Sequence, residues 1–441
     1  MFSSDLRHLL AVLLLSVISA TAGGADRFVS PTGDDLNPGT NALPWKTIQQ
    51  AANVLKPGET VQIAEGVYNE KVEINVSGNE ADGHIVFEAK GNVVVSGKGI
   101  AGANMFVMEN RSYVKIIGLE IQDLEKARDG SGIRVEGYGS HVELRNNNIH
   151  NIRGKDAMGI TVYGTSPVRS ISNIIIDGNE IYDCEPAQSE TLVLNGNVEK
   201  FEVTNNYIHD VNNIGIDFIG GEHWVVSSPD KVARDGICKK NRVERVKANY
   251  GDGYAAGIYV DGGRNIIVEE NIITGCNLGI EVGAENKDAI ASGVIVRNNI
   301  IYKNEKAGIV VGGFSRKSGR VKDCSFTGNI CFHNATDEEE AQGEIWVQFA
   351  RDCSFSDNTI VTREGAFLLQ SHKFAENMVF EKNTWHSGDG LGAAMFIWAG
   401  KEVEGWEKYK SLSKQDAESQ FKLPAFKDPE NGKFEVPTVE S

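Results

Sequence analysis

The sequence has no apolar run long enough to span a bilayer, neither Leu9–Ile18 nor any later one, and it shows no helical periodicity over any long stretch. It is also short of positive charge: 44 Lys and Arg stand against 61 Asp and Glu, a formal net charge of −17. That balance argues against nucleic acid or an anionic membrane as the partner. No nucleotide, haem or zinc motif is present, and the nine His lack the spacings of a transition-metal site. Disorder is excluded by ordinary apolar content, 41%. Proline is scarce and glycine abundant, 10 against 48. The 441 residues would suggest two or three domains, but that expectation fails where a repeat grows one core along a single axis.

Residues 1–22 read as a signal peptide. Arg7 and His8 precede the apolar run Leu9–Ile18, and Ala20-Thr21-Ala22 is a small-residue cleavage site. The mature protein is therefore expected to be secreted, extracellular or periplasmic, and monomeric. Six cysteines in an exported chain raise the question of disulfides. Cys238, Cys324, Cys331 and Cys353 fall at inward strand positions, as small core residues would. Cys324 and Cys353 both sit in Asp-Cys-Ser-Phe, one repeat apart. A bridge between them is one reading, and stacked thiols are the plainer one. Cys184 and Cys276 share a turn position three repeats apart, too far for a bond.

The dominant feature is a repeat of the form apolar-x-apolar-x-x-Asn-x-apolar. Examples are Val142-Glu-Leu-Arg-Asn-Asn-Asn-Ile149, Ile174-Ile-Ile-Asp-Gly-Asn-Glu-Ile181 and Val294-Ile-Val-Arg-Asn-Asn-Ile-Ile301. Its Asn column runs Asn147, Asn179, Asn206, Asn241, Asn271, Asn299, Asn329, Asn358, Asn383, at spacings of 25 to 35 residues. A second unit follows each first one: Gly132-Ile-Arg-Val, Gly159-Ile-Thr-Val, Gly215-Ile-Asp-Phe, Gly257-Ile-Tyr-Val, Gly279-Ile-Glu-Val and Gly308-Ile-Val-Val. Each repeat thus holds three short strands of period-two alternation. Asn at the corner tolerates a left-handed backbone, and its amide can bond the Asn above and below.

The pattern predicts an all-β, right-handed parallel β-helix with about ten clear coils about 4.8 Å apart. An antiparallel sandwich would need hairpin turns and would not keep one Asn column in register. Exposed ends need covering. Thr47–Leu55 has a helical apolar face, stopped by Lys56-Pro-Gly58, and is expected to plug the first coil. Gly405–Gln420, with Trp406, Tyr409 and Leu412, is expected to close the other end, and the tail after Pro424 to lie extended along the stack. The expected organisation is one domain over 23–441, with an N-terminal cap over about 25–70, coils over about 71–400 and a C-terminal cap and tail over about 401–441.

Three segments carry a family resemblance: Phe28–Thr40, Pro44-Trp-Lys-Thr-Ile-Gln-Gln-Ala-Ala52, and Lys56-Pro-Gly-Glu-Thr-Val-Gln-Ile-Ala-Glu-Gly-Val-Tyr68. They resemble the N-terminal segment of secreted pectin-lyase-like β-helix proteins, among them family 9 polysaccharide lyases and β-helical glycosidases. Leu423–Gly432 is similar to the closing tail of the same group. The resemblance implies the β-helix and a carbohydrate context, but not one reaction.

In such a fold chemistry faces outward, because the interior is filled by apolar ladders. The first outward column of the Gly-Ile-x-Val strands reads Arg134, Thr161, Val193, Asp217, Tyr259, Glu281, Val310, Trp346, Leu368, Phe396. The second reads Glu136, Tyr163, Asn195, Ile219, Asp261, Gly283, Gly312, Gln348, Gln370, Trp398. Acids concentrate in three successive coils at Asp217, Asp261 and Glu281, where each raises the proton affinity of the others. Asp261 and Glu281 are the expected working pair for acid–base cleavage of a glycosidic bond, with Asp217 in support. The same three also suit Ca²⁺, which takes six to eight oxygens.

The longest insertions flank these strands. Gly220-Gly-Glu-His-Trp224 follows Asp217, and Lys247–Tyr254 leads into Asp261. Long loops on a rigid solenoid carry binding. Glu222, His223, Trp224, Tyr250, Tyr254 and Tyr259 are therefore candidates for holding substrate, the aromatics by stacking on sugar rings. Arg264 and Glu285 follow the Asp261 and Glu281 strands and join them. Calcium-assisted elimination from a uronate, as in pectate lyases, needs a basic side chain. The strand columns offer no Lys, so it would have to come from a loop, with Arg264 and Lys287 as candidates. A non-catalytic carbohydrate-binding solenoid predicts aromatics spread along the helix, and Trp346, Phe396 and Trp398 fit that pattern.

Overall fold

The computed structural model describes residues 26–435, apart from 316, 338 and 340. Residues 1–22, read above as a signal peptide, lie outside the described residues. The rest is a parallel β-solenoid of about 12 turns.

Each turn contributes to three faces. On the first, Gly139–Arg145, Ile171–Asp177, Val198–Thr204, Arg234–Lys239 and Arg264–Glu269 pair in parallel. On the second, Glu180–Tyr182, Tyr207–Val211, Arg242–Val246 and Ile272–Thr274 do so. On the third lie Leu192–Gly196, Ile216–Ile219, Ala256–Asp261, Leu278–Gly283, Ala307–Val311 and Gly343–Val347. These parallel registers exclude the sandwich. Among the described residues, antiparallel pairing between strands is confined to the far end, where Met395–Trp398 meets Lys401–Glu404.

The Asn column forms one hydrogen-bonded ladder between the first and second faces. The backbone N–H and side-chain amide of Asn147 both donate to Asn179 Oδ1 at 3.0 Å. The same pair of bonds recurs down to Asn358 and Asn383. Each amide also donates to a strand carbonyl, as Asn271 does to Cys238 at 3.0 Å. The ladder ends on a carboxylate: Asp416 accepts from Asn383 at 3.2 Å, Trp385 at 3.0 Å and Tyr409 at 2.9 Å. The left-handed backbone, however, sits one residue earlier than expected. Asn146, Asn205, Lys240, Glu270, Asn298, Asp357 and Lys382 have positive φ, as do Gly178 and Gly328. The ladder bonds carried by each following Asn offset the strain, which is on the order of 1–2 kcal/mol for a side chain in that region.

The Gly of the second unit has a packing cause. A Cβ on Gly132, Gly159, Gly257 or Gly279 would lie 2.5, 2.4, 2.5 or 2.3 Å from a Cγ2 methyl of Ile149, Ile181, Ile273 or Ile301. Each is the Ile two residues beyond a ladder Asn. The two sequence units thus interlock inside the coil. Phe326, Phe355 and Phe380 stack through the core at 4.6 and 4.5 Å. All six cysteines are buried free thiols, so Cys324 and Cys353 are not bridged.

A helix spans Ile48–Val54, N-capped by Thr47, and buries Ile48, Ala51 and Ala52. A second spans Trp406–Ser413, with Tyr409 stacked on Phe396 at 4.2 Å. The tail beyond Pro424 returns along earlier turns: Phe434 packs on Phe332 and Val361, and Lys303 reaches Glu430 at 2.7 Å. It is interrupted by a tight turn at Pro429–Asn431.

The last turns correct one expectation. Trp346 pairs with Gln370, and Gln370 with Ile397, across an irregularity between Phe367 and Leu369. Leu368 and Phe396, expected on the outside, therefore point into the core and are fully buried. Trp398 packs edge-on against Phe380 and Tyr409. The aromatic series expected along the late coils is thus largely an end seal.

Candidate active site

The third face carries the acids. In its register Val193, Asp217, Tyr259, Glu281, Val310 and Trp346 form one outward column. Asp217 and Glu281 share it as expected, with Tyr259 between them. Asp261 lies two residues further along its own strand, paired with Gly283.

Apolar groups flank this stretch. On the earlier coils Met158, Tyr163, Val193, Ile219 and Val225 pack together, and Trp224 meets Tyr163 edge-on at 5.5 Å. On the later coils Ala256, Tyr259, Leu278, Ala307 and Val310 pack together, with Trp346 against them. The acids between the two clusters are poorly solvated, and this environment governs their protonation.

Asp217 is 1% exposed, and its Oδ1 has no hydrogen-bond partner. Burial pushes its carboxyl far above the usual range. Glu190, Asp261 and Glu285 push the same way, and the Phe218 N–H opposes them. Asp261 is also buried, and its affinity for a proton is raised by burial and by Glu285. Its Oδ1 accepts the Glu285 N–H at 2.7 Å, which ties the following loop to the strand. Glu281 is raised by desolvation, then by Glu285 and Asp261. Glu285 is raised by desolvation and by Glu222. Glu222 in turn accepts from the Asn195 amide at 2.6 Å. The Asn195 Oδ1 is a second buried acceptor without a partner. Two orphaned acceptors in one cleft are an exception to the pairing rule for buried polar groups, and they suit a site completed by a ligand's hydroxyls.

Sequence reasoning missed Glu190. It precedes the strand Leu192–Gly196 and is raised by burial and by Glu222, Asp261 and Glu285. It contributes the largest electrostatic push on Asp217. Its loop is braced: Asn213 donates to the Ser189 carbonyl at 2.7 Å and accepts from the Tyr250 hydroxyl at 3.1 Å. The strand that follows Glu190 is one of the looser copies of the repeat, so periodicity gives no pointer to it.

The other expected substrate residues divide. Trp224, Tyr250 and Tyr254 are 65, 40 and 41% exposed and present ring faces. Lys306 sits 4.5 Å from the Tyr254 ring centre and 3.8 Å from Asp337. His223 is exposed on its loop. Tyr259 is only 4% exposed, with its hydroxyl against Gly283, so its ring is floor and not a stacking surface. Arg264 lies on the first face, paired with Arg234 and Ser292, and its Nε donates to the Ile290 carbonyl at 3.3 Å. It therefore does not reach the acids. Among the described residues no group of three or more His, Cys, Asp or Glu is gathered closely enough to hold a metal ion.

The chain resembles known proteins over most of its length. Residues 27–221 match the Pel9A-like, right-handed β-helix region, and 191–337 match the right-handed β-helix region. It is 32% identical over 451 residues to the uncharacterized protein YwoF of Bacillus subtilis (strain 168), covering 95% of this chain and 94% of that one. The chain thus belongs to one family with YwoF, its right-handed β-helix regions together span 27–337, and the solenoid is right-handed.

Three solved structures share the fold at low identity. The lacto-N-biosidase of glycoside hydrolase family 136 from Eubacterium ramulus has a TM-score of 0.61 at 15% identity, over 82% of this chain and 68% of that one. A family 28 exopolygalacturonase from Yersinia enterocolitica gives 0.56 at 12%, over 90 and 79%. PfbA, a surface adhesin of Streptococcus pneumoniae, gives 0.55 at 14%, over 85 and 94%. Among the described residues no helix is long and apolar enough to cross a membrane.

Proposed function

We propose that this protein is a secreted enzyme that cleaves glycosidic bonds of an extracellular polysaccharide by acid–base hydrolysis. The observation that carries the reading is Asp217: a buried carboxyl with an unpartnered oxygen, its proton affinity raised by burial and by other acids, between two apolar clusters. A carboxyl whose proton affinity is raised is what a general acid needs for a leaving sugar oxygen. Asp261 and Glu281 lie beside it for the partner role of base or nucleophile. Trp224, Tyr250 and Tyr254 supply the faces against which sugar rings stack. Two of the structures that share the fold are, by name, glycoside-cleaving enzymes.

Hydrolysis and elimination are separated by their products. A panel of acidic and neutral polysaccharides is incubated with the protein, with calcium and with chelator. Reducing ends and the ultraviolet absorbance of a new double bond are followed together. Reducing ends without absorbance are expected. Both rising together would make the enzyme a lyase. Neither rising on any substrate would make the solenoid a carbohydrate-binding protein.

A further inference from the structure

One loop away from the acid cleft, the surface changes sign. On the first face the outward register runs Arg234, Arg264, Ser292, Lys322, Arg351, one residue per turn. The turns are about 4.8 Å apart. The first two are engaged: Arg234 bonds Glu199 at 2.6 Å, and Arg264 bonds the Ile290 carbonyl. Lys322 and Arg351 are held loosely, with their nearest acids at 3.4 and 3.8 Å.

These two residues line a groove of about 690 Å³ together with Arg320, Phe349, Phe374 and Glu376. Three cations against one acid is the reverse of the chain's overall balance of −17. The groove also has aromatic walls. Phe349 stacks on Phe374 at 5.3 Å, and the Arg320 guanidinium lies 5.7 Å from the Phe349 ring centre. Ring faces with nearby cations suit an acidic sugar, whose apolar face packs on an arene while its acid group meets a guanidinium or ammonium.

The groove adjoins the cleft directly. The loop that begins after Gly283 places the Glu285 N–H on Asp261. The same loop accepts the Gly319 N–H at Ala284 and the Arg320 N–H at Ala289, and the next residue, Ile290, lines the groove. Cleft and groove are thus the two sides of one seven-residue span, 284–290.

We propose that this groove is a binding subsite for an acidic sugar of the glycan whose bond lies in the carboxylate cleft. The inference rests on the cleft acting on a polysaccharide. It adds that recognition of charge occurs on the neighbouring face, away from the acids that would repel it.

The test is electrophoresis of the intact mature protein through gels containing polygalacturonate, dextran sulfate or neutral dextran, with chelator throughout. Retardation is expected in an acidic gel and not in dextran, and the stronger of the two acidic gels identifies carboxylate or sulfate as the group read. In Lys322→Gln/Arg351→Gln the affinity should fall about tenfold with unchanged melting temperature, because both side chains are solvent-facing. Asp217→Asn, which removes the cleft's acid, should keep wild-type retardation. Loss of activity without loss of retardation therefore separates failure of the groove from failure of the cleft. Absence of retardation in both acidic gels, equal retardation in dextran, or full retardation of the double variant would each overturn the proposal.

Discussion

Asp217 and Glu281 stand in one column of the third face, two turns apart, with the buried ring of Tyr259 between them. Tyr259 keeps water from the space its neighbours share, and its hydroxyl is itself pushed up by burial and by Glu281. An acid pair separated by an apolar floor differs from a solvated acidic surface. Both carboxyls are biased toward the protonated form, with burial as the largest cause in each.

Replacing Asp217 by Asn tests that assignment. The substitution keeps size and removes the acid, so hydrolysis should fall about 10²–10⁴-fold, the usual contribution of a positioned general acid. The circular dichroism spectrum should be unchanged. Wild-type turnover in a folded Asp217→Asn protein would sink the assignment.

The same variant should be more stable than the parent at neutral pH. A carboxyl whose folded pKa is raised contributes stability that is fully present below the unfolded value, about 4. That contribution is lost as the pH rises through the folded value. Above about pH 4 the wild type therefore bears the penalty of burying a carboxyl that ionises freely in the unfolded chain, and Asn does not. A rise in melting temperature of about 2 °C at pH 8, shrinking toward pH 4, is the expected outcome of scanning calorimetry.

Much of this was legible in the sequence, for a physical reason. A solenoid repeats its chemistry once per turn, so the Asn column and the Gly-Ile-x-Val unit exposed the register directly. The register in turn placed Asp217, Asp261 and Glu281 on one outward face. What the sequence did not reveal lies where the repeat is broken. Glu190 sits in a connecting loop. Leu368 turns inward at an irregularity between Phe367 and Leu369, and Phe396, paired with Leu369, follows it into the core. Tyr259 occupies an outward position, yet neighbouring turns cover it. The register alone could not show that Arg264 lies on the first face, engaged by the Ile290 carbonyl of the next turn.

The ladder predicts a large stability effect at a single site. Asn271 accepts two bonds from Asn241 and donates to Asn299 and to the Cys238 carbonyl. Asn271→Ala would leave several buried polar groups unpaired, at about 1–3 kcal/mol for each. A loss of about 3 kcal/mol or more, the sum for two such groups, should appear as a lower denaturant midpoint. A fall under about 1 kcal/mol would mean that water or a neighbouring amide replaces the ladder bonds.

Trp224 should act on binding alone. Its ring is mostly exposed and touches the protein edge-on at Tyr163. Trp224→Ala should raise KM several-fold with kcat nearly unchanged, because a stacking contact holds substrate and transition state alike. A fall in kcat with constant KM would instead place the ring at the reacting sugar.

A second pH effect comes from Glu344. Its two oxygens accept the Asn334 N–H at 2.9 Å and the Asn334 amide at 2.6 Å, closing a shorter amide series that runs through Asn304. The side chain is fully buried, and burial pushes it up to about 8 against the bonds from Asn334, which favour the charged form. With the folded value raised, its contribution to stability is whole below the unfolded value of about 4.3 and declines as the pH climbs through about 8. Glu344→Gln keeps an acceptor for Asn334 and removes the titration. Its melting temperature should therefore fall less steeply than that of the wild type between pH 5 and 9, and the two curves should differ most at the alkaline end. Parallel curves across that range would show that Glu344 is ionised throughout, held so by its two bonds and by the Arg363 charge.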